Sequence, residues 1–124
     1  METTNNVNTN TEIKTWHKAA KITDIPQNGG AAVLIKGKQI AIFNFTTKGE
    51  WYATQNLCPH RFEMVLSRGL IGDSSGEPKV ACPLHKNSFS LETGQCLSGA
   101  PYQIDVYPVK IMDGFIYIGT TDEF

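Results

Sequence analysis

Long apolar runs are missing from this chain of 124 residues, and that absence sets the first bounds. No stretch approaches the roughly 18 consecutive apolar residues of a membrane-spanning helix. The N-terminal METTNNVNTNTE has neither the basic start nor the apolar run of a secretory signal. Charge is nearly balanced, 11 basic against 12 acidic side chains, which leaves no electrostatic case for nucleic acid or an anionic membrane as partner. Three cysteines are too few, and odd in number, for a disulfide framework. Neither G-x-G-x-x-G nor G-x-x-x-x-G-K-[ST] occurs, so no signature for a flavin, nicotinamide or nucleotide is present. Together these absences predict a soluble protein of a reducing, cytoplasmic compartment.

Helical periodicity is also scarce, while the 11 glycines and the short β-branched runs point to an all-β chain rich in turns. Residues 1–12 are Asn/Thr-rich with Val7 as their one sizeable apolar side chain after Met1, too little to offset the entropy of ordering. They are expected to be a disordered tail, leaving residues 13–124 as a single domain around one core. Strands are predicted over Ile13–Lys21 with Trp16 as core anchor, Ala31–Ile35, Gln39–Thr46, Trp51–Thr54, Ile104–Tyr107 and Phe115–Ile118. The linker 22–30 is read as turn-rich, and 65–71 as a strand or an irregular segment. Tight turns fall at Lys36-Gly37-Lys38, Lys48-Gly49-Glu50 and Met112-Asp113-Gly114, and a longer exposed one at 73–78. Further short strands flank Glu92-Thr93-Gly94, and Pro108 places its strand at an edge or bulge.

What the chain does have is concentrated between Asn56 and Leu97. Cys58-Pro59-His60 is followed, after twenty-one residues, by Cys82-Pro83-Leu84-His85. A thiolate and an imidazole two or three residues apart on a turn can enter one site, and proline after each cysteine stiffens the loop so that little entropy is lost on binding. Two such loops make one four-ligand site. Tetrahedral Cys2His2 suits structural zinc, but zinc fingers pair Cys with Cys and His with His. Here each loop supplies one of each, which suits a [2Fe-2S] cluster whose one iron takes both cysteines and the other both histidines.

C-x-H followed by C-x-x-H is the Rieske signature. The words NLCPHRFEMVLSRGLIG and GEPKVACPLHKNSFSLETGQCL resemble the Rieske-type small subunit of bacterial assimilatory NAD(P)H-dependent nitrite reductase, from about Trp16 to Gly119. The resemblance implies antiparallel base sheets or a barrel with a small inserted cluster-binding subdomain at about 56–97. It also implies one [2Fe-2S] cluster on Cys58, His60, Cys82 and His85, and a large-subunit partner carrying FAD, [4Fe-4S] and sirohaem. The chain itself would be a non-catalytic electron-transfer or accessory subunit. Two other functions share features of the motif: a free Rieske ferredoxin feeding a ring-hydroxylating dioxygenase, and a zinc-stapled binding module. Glycine commonly follows the second ligand histidine in those ferredoxins, and Lys86 departs from that.

High-potential Rieske proteins carry two further cysteines in a disulfide and a serine and tyrosine that bond sulfur. On the same alignment Glu63 and Leu84 stand at the disulfide positions and Asn87 and Phe89 at the hydroxyl positions, which implies a low potential. Arg61 and Lys86 each follow a ligand histidine, where a cation favours the reduced form; as solvated surface charges they would do nothing there. Phe62 and Met64 form a candidate apolar rim for a redox partner, or pack the loops together. Cys96 reads as a small buried hydrophobe, His17 as a surface strand residue, and Trp51 and Tyr52 as core.

Overall fold

The structure, a computed structural model, describes residues 2–5, 15–46, 49–59, 63–74, 76–83, 87–98 and 101–120. In chain order the strands are β1 (Glu2–Asn5), β2 (Thr15–Lys21), β3 (Gly29–Ile35), β4 (Lys38–Phe45), β5 (Glu50–Gln55), β6 (Leu57–Cys58) and β7 (Glu63–Met64). They continue as β8 (Leu70–Ser74), β9 (Glu77–Ala81), β10 (Ser88–Ser90), β11 (Val106–Tyr107), β12 (Val109–Met112) and β13 (Phe115–Thr120). Two single-turn 3-10 segments, Ile22–Asp24 and Leu66–Arg68, are the helical elements among the described residues. The fold is all-β and antiparallel throughout, with a four-stranded sheet in the order β1-β12-β13-β2 and a second in the order β11-β5-β4-β3. A three-stranded sheet β10-β9-β8 and the two-stranded β6-β7 make up the remainder.

Strand β4 explains how these layers stack. Successive side chains on a strand point to opposite faces, and all six residues from Ile40 to Phe45 are buried. Ile40 and Ile42 therefore join Ile35, Ala53, Val109, Ile116 and Ile118 in a core between the two four-stranded sheets. Ala41, Phe43 and Phe45 face the other way, into a second core with Tyr52, Cys58, Leu66, Val80, Cys82, Phe89, Leu91 and Ile104. One strand thus serves as the floor of the base and the ceiling of the layer that holds both motif cysteines. At about 25 cal/mol per Å² of apolar surface, full burial of each large side chain here contributes roughly 2 kcal/mol.

Two turns show why the sequence closes where it does. Lys36 and Gly37 both have positive φ, 50° and 81°, the conformation of a two-residue hairpin whose twist matches its strands. Gly94 has φ 83°, and a Cβ there would clash with the Ile104 carbonyl oxygen. The Ile104 N–H donates to the Gly94 carbonyl at 2.8 Å, so glycine is what lets the returning chain close against the Glu92-Thr93-Gly94 turn.

The expected strands recur with corrections. Glu2–Asn5, expected within a disordered tail, pairs with β12 as an edge strand; residues 6–14 lie outside the described ones. The strand expected to begin at Ile13 is described from Thr15. Trp16 belongs to neither core: it is half-buried on the outer face with the Lys110 ammonium 4.9 Å from its ring. Ile25, in the presumed linker, is the buried residue there. Between 65 and 71 the chain forms the 3-10 turn Leu66–Arg68 and then enters β8, and the 73–78 turn shrinks because β8 and β9 pair as far as Ser74 and Glu77. Gln95 and Cys96 make isolated bridges to Gln103 and Phe89 instead of a strand. β12 went unread because Pro108 ends one strand, yet the chain resumes at once in the opposite sheet; β11, before it, is an edge strand as the proline requires.

Candidate metal centre

Both cysteines sit where a ladder ends and a loop begins. Cys58 is the last residue of β6, paired with Glu63 across the hairpin that contains Pro59 and His60. Cys82 directly follows β9, and its N–H donates to the Asn87 carbonyl at 2.8 Å, closing the base of the loop that contains His85. The sheet thereby delivers two sulfurs, twenty-four residues apart in sequence, to 3.1 Å from each other, with the Cys82 thiol donating to Cys58 Sγ. Both are buried, and none of the three cysteines is in a disulfide.

The separation tests whether the pair fits one metal ion. A disulfide needs about 2.05 Å, whereas a tetrahedral ion with metal–sulfur bonds of about 2.3 Å holds two sulfurs roughly 3.8 Å apart. Opening the pair by well under ~1 Å seats an iron, which two loop-end residues accommodate with small backbone adjustments. The donor set fits a soft ion. His60 and His85, with Arg61, Phe62, Leu84 and Lys86, lie outside the described residues, and among the described residues no third His, Cys, Asp or Glu joins the two sulfurs.

Phe89, fully buried, packs in the same core as both cysteines together with Leu66, Val80 and Leu91. This apolar floor excludes water from the sulfur side, which strengthens every electrostatic interaction there. Asn87 is half-buried and its backbone, not only its side chain, serves the loop through the bond to Cys82 N–H. Glu63 is exposed beside Cys58. Met64 is 45% exposed and, with Leu57, Gln39, Gln55, Asp105 and Tyr107, lines an open cavity of about 270 Å³ next to the first loop. Burial, with the neighbouring Asp105 charge, pushes the Tyr107 hydroxyl up to about 12, so it stays a neutral phenol at any physiological pH. Cys96 is half-buried against the cysteine core, and His17 is half-buried with Nε2 2.9 Å from Thr120 Oγ1, far along the chain from the motif loops. Tyr52 is core, its ring edge-on to Phe45 at 5.4 Å, and Trp51 packs half-buried against the other core.

Sequence reasoning missed two polar residues that precede Cys58. Asn56 is 2% exposed, its Nδ2 donating to Gln39 Oε1 at 2.9 Å and its Oδ1 accepting from the Ser67 N–H at 2.8 Å. Gln55 Nε2 donates to the Leu57 carbonyl at 2.7 Å, and its Oε1 accepts from the Asp105 N–H at 2.8 Å. A polar pair leading straight into a ligand cysteine was the available signal.

Comparison with known proteins extends the picture. Residues 15–119 match the Rieske-like [2Fe-2S] domain. The nitrite reductase (NADH) small subunit of Salmonella typhimurium is 35% identical over 103 residues, covering 83% of this chain and 95% of the relative. The nitrite reductase [NAD(P)H] large subunit of Klebsiella oxytoca is 36% identical over 104 residues, 84% of this chain but only 11% of that protein, so this chain spans about a ninth of that relative. The solution structure of the nitrite reductase [NAD(P)H] small subunit of Erwinia carotovora superposes with a TM-score of 0.74 at 32% identity, over 86% of this chain and 82% of that one. A ferredoxin component of naphthalene 1,2-dioxygenase/salicylate 5-hydroxylase systems from Ralstonia is 37% identical over 97 residues, 77% of this chain and 86% of its own. Among the described residues no helix is long and apolar enough to cross a membrane.

Proposed function

This chain belongs to the Rieske-like [2Fe-2S] domain family, and on that premise we propose that it is the electron-transfer subunit of an assimilatory NAD(P)H-dependent nitrite reductase, acting in the cytoplasm. The observation that carries the reading is the buried Cys58–Cys82 pair at 3.1 Å at the ends of two ladders, in a chain that nearly spans a nitrite reductase small subunit. The ligands are Cys58 and Cys82 on one iron and His60 and His85 on the other. When bound, such a cluster supplies storage for one electron: with two neutral imidazoles in place of two thiolates its charge runs from zero to minus one, and reduction is easier than with four cysteines.

The chain's own residues do the rest. Cys58 and Cys82 supply the two thiolates, held by β6 and β9; Phe89, Leu66 and Val80 keep water from the sulfurs. Arg61 and Lys86 each follow a ligand histidine in the sequence, and a cation near the cluster favours the reduced form. The partner is a large subunit carrying FAD, [4Fe-4S] and sirohaem. The match within a Klebsiella large subunit supports this pairing, because there the same kind of domain is covalently part of the enzyme it serves. The second reading is a ferredoxin donating to a ring-hydroxylating dioxygenase, favoured by the Ralstonia relative and opposed by Lys86.

Protein made with adequate iron is expected to contain about two irons and two acid-labile sulfides per chain and to be red-brown. Elemental and sulfide analysis decide this, and stoichiometric zinc without sulfide overturns the reading. Tuning gives a second expectation. Phe89→Tyr with Asn87→Ser adds hydroxyl donors on the sulfur side of a water-poor site, where hydrogen bonds stabilise the more negative, reduced state. A bond worth about 1 kcal/mol more to that state raises a one-electron potential by roughly 40 mV. Voltammetry on the folded double variant reads it, and an unchanged or lowered potential refutes the placement of these two positions beside sulfur.

A further inference from the structure

The residues just before Cys58 join four separated pieces of chain. Asn56 is bound from both ends of its side-chain amide, to Gln39 at the start of β4 and to the Ser67 N–H in the 3-10 turn Leu66–Arg68. Its backbone is bound as well: its N–H donates to the Gln39 carbonyl at 3.1 Å, and its carbonyl accepts from the Leu66 N–H at 3.1 Å. Next to it Gln55 fixes the Leu57 carbonyl with one end of its amide and the Asp105 N–H with the other, and the Gln55 N–H donates to the Asp105 carbonyl at 3.0 Å. Asp105 lies on the segment by which the chain returns from the cysteine layer to β11. Seven hydrogen bonds from the two residues that stand two and three positions before Cys58 thus tie the entry and exit of the metal loops to one another and to the base sheet.

A buried amide satisfied at both ends has one allowed orientation, since turning it over sets donor against donor and acceptor against acceptor. The backbone at Leu57–Cys58 inherits that orientation. A ligand cysteine that ends a two-residue strand needs such support, because β6 and β7 share only two residue pairs. We propose that Asn56, with Gln39 and Gln55 as its braces, is a positioning residue that sets the placement of Cys58 Sγ and so the geometry of the iron it binds. This rests on the [2Fe-2S] reading above.

The test uses the full chain loaded with its cluster. Asn56→Leu removes both side-chain bonds at similar volume; Gln39→Met removes the acceptor of Asn56 Nδ2 and keeps the bond to Ser67. Thr120→Val is the control, a buried hydroxyl at the far end of the other sheet that bonds His17. Expected for Asn56→Leu is at least tenfold faster loss of the cluster to a chelator, with shifted and broadened EPR lines of the reduced form; Gln39→Met moves the same way by about threefold. Thr120→Val lowers the unfolding temperature but leaves the EPR lines and the chelation rate alone. An Asn56→Leu protein with wild-type lines and loss rate overturns the proposal, and if that variant does not fold, wild-type behaviour of Gln39→Met does so. Hydrogen exchange separates this failure from failure of the cluster reading: with or without iron, the Ser67 amide should exchange at least tenfold faster in Asn56→Leu, and an unchanged rate overturns the clamp. Absence of iron and sulfide from the wild-type chain, with the amide result as expected, removes the cluster reading and this role toward iron while leaving the clamp as a fold element.

Discussion

Cys82→Ala is expected to abolish the visible absorption of the protein and to drop its iron content from about two per chain to below about one-tenth of that. The sulfur lost is one of two that the fold brings to 3.1 Å, and a single thiolate cannot complete the sulfur-bound iron. Binding energy at such sites is folding energy, on the order of 10 kcal/mol where it has been measured for structural zinc, so the consequence spreads beyond the ligand. Cys82 lies in the core shared with Cys58, Leu66, Val80, Phe89 and Leu91. Backbone amides of β8, β9 and β10 should therefore lose hydrogen-exchange protection by several orders of magnitude, while those of β4 and β13, whose Ile40, Ile42, Ile116 and Ile118 pack in the other core, stay protected. Cys58→Ala should match it. Cys96→Ala, which removes a half-buried sulfur from the edge of the same core, should cost about 1 kcal/mol and keep the colour. A coloured, iron-replete Cys82→Ala protein means that the ligand set is wrong.

The contrast between those two cores marks how far the sequence could be read. Hairpins with their own local chemistry were legible: Lys36-Gly37 and Asp113-Gly114 adopt paired positive φ, and the strands on either side of the first, like β13 after the second, run as expected. So was the convergence of the two motif loops, at least at Cys58 and Cys82, because spacing and ligand type carry that information without knowledge of the fold. What escaped depended on long-range partners. β12 is a four-residue strand held by its pairing with β13, and its alternation is short enough to be lost behind Pro108. Glu2–Asn5 has no apolar pattern of its own and takes its strand form from the edge of β12. Ile25 is isolated among polar neighbours, and only the packing of the two sheets makes it core. Asn56 and Gln55 read as ordinary polar loop residues, since their partners stand seventeen and fifty positions away in the chain.

Nitrite reduction is expected to be absent from this chain on its own and to appear only with a large subunit. The sequence carries no dinucleotide signature by which NAD(P)H would load an electron. One electron held by one cluster must come from elsewhere and go elsewhere. Co-expression with a candidate large subunit should give co-purification and NAD(P)H-dependent ammonia formation, at rates that fall when this chain is left out. Met64→Asp probes the docking surface, because Met64 is 45% exposed beside the first metal loop, where an apolar partner contact would desolvate it. Loss of that contact, about 1.5–3 kcal/mol, weakens association by roughly ten- to a hundredfold, with the cluster spectrum intact. Arg61→Glu with Lys86→Glu should weaken association likewise, more at low salt than at high. If the large subunit neither binds this chain nor gains activity from it, while a dioxygenase terminal component accepts its electrons, the ferredoxin reading takes the place of this one.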